Sequence, residues 1–257
     1  MNNSDYYNME AYVKLNIENQ VGYIEFFHPE HNSLPANLLA KLTRTITDAG
    51  KNEDIKVIVL KSEGDRTFCA GASFNELVKI NDEESGKVFF SGFANVINAM
   101  RKCPKFIIGR IQGKTVGGGV GIASATDYCM ATKFAAIKLS ELNLGIGPFV
   151  VGPAIERKIG LSAMSQIAIN ANNFYTAEWA KQKGLFTQVY DSTDELDEAV
   201  KTFAKNLCNY NLEAMREMKT VFWKGTEDWD DLLLQRAKIS GKLVLSEFTK
   251  GTLKRFK

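Results

Sequence analysis

The chain has 257 residues, 32 of them basic and 30 acidic, which leaves a net charge of +2. That balance excludes the strongly basic stripe of a nucleic-acid binder and gives no general attraction to an anionic membrane. Four cysteines, Cys69, Cys103, Cys129 and Cys208, are too scattered for a C-x-x-C pair, which excludes a zinc ribbon or dithiol site and fits buried thiols in a reducing compartment.

In chain order, Met1 to Tyr7 lacks the basic region and apolar run of a signal peptide, and no apolar run approaches the roughly 20 residues of a spanning helix. A soluble cytoplasmic protein is the expectation. Alternating runs Tyr12 to Ile17 and Val21 to Phe26 predict a hairpin. A helix with Pro35 in its first turn follows, with apolar Leu38, Leu39, Leu42 and Ile46 at a 3.6-residue period. Strands and helices then alternate over Ile55 to Leu60, Glu83 to Met100, Phe106 to Ile111, Gly118 to Thr126, Tyr128 to Ala131 and Ala136 to Leu139. This rhythm predicts stacked β-β-α units rather than a sandwich. Beyond Gly145 only Phe186 to Tyr190 reads as a strand, and helices over Thr193 to Cys208, Leu212 to Trp223 and Asp228 to Leu245 dominate.

Two glycine turns carry the chemical signal. In the second, Gly113 to Gly121, an apolar strand runs into Gly117, Gly118, Gly119 and Gly121 and then a helix. Glycine admits a ligand close to the backbone, and the first helical turn offers N–H groups without intrahelical partners, so the segment suits an oxyanion. A dinucleotide fingerprint fails, because Ile122 or Ser124 stands where its third glycine is required, and no P-loop pattern occurs. The first turn, Phe68-Cys69-Ala70-Gly71-Ala72-Ser73-Phe74, is equally crowded with small residues. The only histidines, His28 and His31, flank Pro29 in a polar turn, and no further ligand cluster suggests a metal.

The ordered set formed by these turns, Asp127 to Ala131, Ile137 to Ile146, and Ala177 to Ala180 with Gly184 and Leu185, resembles the enoyl-CoA hydratase/isomerase (crotonase) superfamily over nearly the whole chain. Segments Ser73 to Leu77, Ser91 to Lys105 and Ile239 to Lys250 are similar to a bacterial group called methylglutaconyl-CoA hydratases. The resemblance implies one α/β domain over residues 1–257, a crotonase-like spiral of β-β-α units to about residue 190. A helical C-terminal region would form trimers or hexamers. It also implies an acyl-CoA thioester substrate, with no cofactor beyond the CoA that the substrate carries.

By motif position the family's oxyanion hole falls on the N–H groups of Ala72 and Gly118. Gly71 and Gly117 shape those turns, and Phe68, Ala70 and Ala72 offer backbone to the CoA arm, whose phosphates would meet Lys250 or Lys254. Of the two glutamates used by the family's hydratases, one position is Gly121 and the other is Glu141, in a motif where Ser140 replaces proline. Between an apolar strand and an apolar helix start, Glu141 is expected to be desolvated, with its pKa raised toward a useful value. A lone carboxylate suffices for double-bond isomerisation, whereas hydration usually divides the work between two. A substrate carboxylate seated in the space at Gly121 and paired with Lys114, Arg110 or Arg157 would restore hydration. Phe149, in a Pro-Phe loop similar to that of some isomerases, is a candidate wall of the acyl pocket. Hydration of a 2-enoyl-CoA such as 3-methylglutaconyl-CoA is the leading expectation. Isomerisation, decarboxylation and catalytically silent acyl-CoA binding are its alternatives.

Overall fold

The computed structural model describes residues 10–255; the N-terminal segment read against a signal peptide lies outside them. Strands β1 (Tyr12–Glu18) and β2 (Val21–Phe27) form the expected antiparallel hairpin, closed by Asn19 and Gln20 at positive φ. Helix α1 (Ala36–Lys51) buries Leu38, Leu39, Leu42 and Ile46. Each such side chain contributes about 1.5–3 kcal/mol relative to leaving it in water. Pro35 stands just outside the helix, as its N-cap.

From β3 onward the chain lays strands alternately into two sheets. Strands β3 (Val57–Ser62), β5 (Ile107–Ile111) and β7 (Tyr128–Thr132) join the hairpin in one parallel run. Their followers β4 (Thr67–Cys69), β6 (Lys114–Val116) and β8 (Ala136–Lys138) form a second, shorter parallel run. Each turn of the spiral is therefore a long strand, a short strand and a helix. The helices are α2 (Phe74–Leu77) with α3 (Glu83–Lys102), then α4 (Gly118–Ser124), then a 3-10 turn (Glu141–Leu144). The buried long strands read as continuous apolar runs, as parallel strands covered on both faces do. The short strands β4 and β6 are absent from the sequence reading, because three residues between glycines show no period.

The remainder comprises α5 (Gly152–Ile169), β9 (Tyr175–Thr176), α6 (Ala177–Gln182), β10 (Gln188–Tyr190), α7 (Thr193–Leu207), α8 (Leu212–Phe222), α9 (Trp229–Leu243) and α10 (Glu247–Lys254). Strand β10 completes the six-stranded sheet and β9 the four-stranded one. Helix α9 lies against α3 so closely that a Cβ on Gly86 would come within 2.7 Å of Gly241 Cα, so both positions exclude any side chain. All four cysteines are buried and unpaired. No helix among the described residues is long and apolar enough to cross a membrane.

Candidate active site

The two glycine turns meet. Gly71 has φ +94, and a Cβ there would stand 3.2 Å from the Val116 carbonyl and 3.8 Å from Gly118 N. Gly119 is pressed onto Cys69, with a Cβ position 2.7 Å from that residue's Cβ. The register of β4 on β6 thus brings Ala72 and Gly118 to the rim of one cavity of about 230 Å³. Leu34 N–H donates to Gly71 O at 2.8 Å and pins the first turn. Gly117, the N-cap of α4, has φ +52 and ψ −117, and its N–H donates to Lys138 O at 2.9 Å. Gly118 is the first residue of that helix, so its N–H has no intrahelical acceptor and carries the positive end of the helix dipole.

Glu141 enters the same cavity from the 3-10 turn, which Gly145 ends in the left-handed region at φ +79. Its Oε2 is shut away from solvent without a hydrogen-bond partner, and its Oε1 stands 3.0 Å from where a Cβ on Gly117 would be. Burial pushes the carboxyl up to about 7, against the opposing pull of the Glu141 and Ser140 backbone N–H groups. Among the described residues, no other charged side chain borders this cavity. Its wall is mostly apolar, with Phe89, Phe90 and Phe93 from α3, Val116, Ile146 and the loop Pro148 to Val151, and two serines, Ser140 and Ser240, also border it.

Of the residues singled out in the sequence, Ala70, Gly71, Ala72, Gly117, Gly118, Glu141 and Phe149 border this cavity together. Two do not. Phe68 is fully buried, edge-on to Phe26 with ring centroids 5.4 Å apart, and belongs to the core. Gly121 is also buried, and the space expected there is filled, because a Cβ would lie 2.5 Å from Val151 Cγ1. The cations expected to meet a substrate carboxylate are elsewhere. Arg110 is held by Asp197 at 2.7 Å, Lys114 Nζ lies over the Phe174 ring at 5.4 Å, and Arg157 covers Trp223 at 5.2 Å. Lys250 pairs with Glu247 on its own helix at 3.6 Å.

The sequence reading missed Phe93, whose ring blocks any Cβ on Gly118, and Val151, whose side chain replaces the one Gly121 lacks. The spacing of Phe89, Phe90 and Phe93 on one helical face is the available signal, but it matches ordinary core packing equally well.

A β-β-α spiral whose two glycine turns face one desolvated carboxylate defines an α/β protein of the crotonase type. A family model described as enoyl-CoA hydratase/isomerase matches residues 16–251, and the chain belongs to that family. The chain is 27% identical to the peroxisomal Delta(3,5)-Delta(2,4)-dienoyl-CoA isomerase of Arabidopsis thaliana, over 85% of this chain and 84% of the relative. It is 31% identical to the mitochondrial methylglutaconyl-CoA hydratase of Mus musculus, over 76% of this chain and 63% of that protein's length. Among solved structures, an enoyl-CoA hydratase from Bacillus halodurans superposes with a TM-score of 0.88 at 23% identity, covering 95% of this chain and 99% of the other.

Proposed function

We propose that the protein is a one-base enoyl-CoA isomerase, moving a double bond in an apolar acyl-CoA thioester between the 3,4 and 2,3 positions. The observation that carries this reading is Glu141, the single charged side chain bordering the cavity among the described residues, with its Oε2 buried and unpartnered in a mostly apolar wall.

Ionised Glu141 takes a proton from Cα of a 3-enoyl thioester, and the electron pair delocalises onto the carbonyl oxygen as a dienolate. The N–H groups of Ala72 and Gly118 receive that charge; each oriented donor in such a site is worth about 3–4 kcal/mol. The same carboxyl then returns the proton to Cγ, the carbonyl re-forms, and a 2-enoyl thioester leaves. A carboxyl near pKa 7 suits both halves, because it accepts and gives back a proton at comparable cost. Hydration needs a group to orient water, and Val151 fills the place beside Gly121 where the family's other glutamate would stand. A carboxylate on the acyl chain would find no cation in the wall.

The test is to incubate the protein in ¹⁸O-water with 3-hexenoyl-CoA, crotonyl-CoA and 3-methylglutaconyl-CoA, following mass and ultraviolet absorbance. Conversion of 3-hexenoyl-CoA to the conjugated 2-enoyl thioester without ¹⁸O uptake is expected. Rapid ¹⁸O incorporation into either of the other two thioesters, or silence on all three, overturns the isomerase reading.

A further inference from the structure

Helix α4 has a cavity at each end. Gly118 opens on the one that holds Glu141, while Ser124, at the other end, borders a separate cavity of about 300 Å³. Ser124 is 3% exposed, and its Oγ is buried without a partner. An unsatisfied buried hydroxyl costs about 1–3 kcal/mol, so a ligand in the adjoining cavity that draws this one out to accept from it recovers that cost.

The rest of the cavity supplies two cations. Arg157 Cζ stands over the Trp223 ring, 5.2 Å from its centroid, and no carboxylate among the described residues pairs with it, so its N–H groups remain unspent. Lys158 Nζ donates to the carbonyls of Thr126 at 2.8 Å and Asp127 at 3.5 Å just past α4, which offsets the negative end of that helix and leaves a third N–H. The one acid present, Asp127, is already committed. It pairs with Lys219 at 2.8 Å and accepts from Ile107 N–H at 2.8 Å and Trp223 Nε1 at 3.0 Å. Arg157 and Lys158 thus give this cavity two cations against one committed acid, with the unpartnered Ser124 hydroxyl buried at its wall.

We propose that this cavity binds a phosphate-type oxyanion through Arg157, Lys158 and the Ser124 hydroxyl. A planar guanidinium matches two oxygens of such a group at once, and the hydroxyl and ammonium remain for the others. The burial that lowers the Lys158 pKa also favours a bound counter-anion. This site is independent of the reaction assigned to the Glu141 cavity.

The test is thermal denaturation and titration calorimetry of the intact protein with inorganic phosphate, against chloride at equal ionic strength, with acetate as a second arm. A tenfold excess of phosphate over Kd is expected to raise Tm by about 3–6 °C. Arg157→Gln and Ser124→Ala reduce the rise to the chloride level, and Glu141→Gln keeps it. Arg157 is exposed, so its variant decides the matter if Ser124→Ala fails to fold. No rise in the wild type, an undiminished rise in Arg157→Gln, or a larger rise with acetate overturns the assignment.

Discussion

Glu141 Oε1 lies 3.0 Å from the point where a Cβ on Gly117 would stand, so the glycine turn and the carboxylate are built against each other. A methyl group there meets a carboxylate oxygen on one side and a backbone at φ +52, ψ −117 on the other, a sparsely populated conformation that costs an L-residue about 1–3 kcal/mol. Gly117→Ala is therefore expected to fold with a modest loss of Tm, while kcat falls at least about tenfold as the carboxylate is displaced. Unchanged kcat with 3-hexenoyl-CoA would show that Glu141 is not held against this turn.

Glu141→Gln separates catalysis from stability. If Glu141 is the only base, the variant loses about 10²–10⁴-fold in turnover. Its effect on stability has the opposite sign. Burial raises the folded-state pKa to about 7 from an ordinary 4.5, so the stability the neutral carboxyl contributes is complete below pH 4.5 and is lost as pH rises through 7. Glutamine incurs no such loss. Denaturant titrations should find the variant more stable than the wild type at pH 8, by up to about 3 kcal/mol at 1.36 kcal/mol per pH unit, with the gap closing near pH 4.5. A wild type as stable as the variant at pH 8 contradicts the burial of an ionisable group here.

The same displacement sets the pH dependence of the reaction. Proton abstraction from Cα requires the ionised form, so kcat/KM with 3-hexenoyl-CoA should rise with pH to a plateau, with its midpoint near 7. A midpoint near 4.5 would mean that the free enzyme holds Glu141 in water.

How far the sequence reveals this site depends on what each residue must do alone. Gly71 and Gly117 are legible because positive φ restricts the residue type, and Glu141 through the family motif it stands in, since a glutamate between apolar elements is by itself more often capping or exposed. Val151 is illegible for the opposite reason. Its place beside Gly121 is set by the path of the Gly147 to Gly152 loop, and nothing local distinguishes it from any buried valine. The Phe68 side chain contributes to the core rather than the cavity, because β4 turns alternate side chains to opposite faces; the expectation for this residue concerned its backbone. The long strands were legible to within about two residues, while β4, β6 and β9, of two or three residues each, are defined by partners across the sheet rather than by their own composition.

The Gly121–Val151 contact can itself be tested. Gly121→Glu alone places a side chain where Val151 Cγ1 already stands at 2.5 Å, and overpacking of this kind costs about 1–3 kcal/mol or more. Combined with Val151→Gly, the new glutamate inherits the vacated space at the cavity wall. The double variant is expected to recover thermal stability relative to the single one and to add ¹⁸O from water to crotonyl-CoA. Equal instability of the two variants would show that Val151 is not what fills the position.

Away from the catalytic cavity, the Lys219–Asp127 pair ties α8 to the start of β7. Lys219 is 2% exposed, pairs with Asp127 Oδ2 at 2.8 Å and donates to the Lys105 carbonyl at 2.7 Å. Removing one partner of a buried pair leaves the other charge uncompensated, which costs about 3–5 kcal/mol, whereas removing both charges costs far less. Lys219→Met should lower Tm by about 10 °C, at 2–4 °C per kcal/mol for a chain of this size. Adding Asp127→Asn should restore part of that loss, because the amide oxygen still accepts from Trp223 Nε1 or Ile107 N–H while no charge is left unpaired. A double variant less stable than Lys219→Met would mean that the Asp127 charge is balanced by its N–H donors alone, and that the lysine contributes through its aliphatic stem.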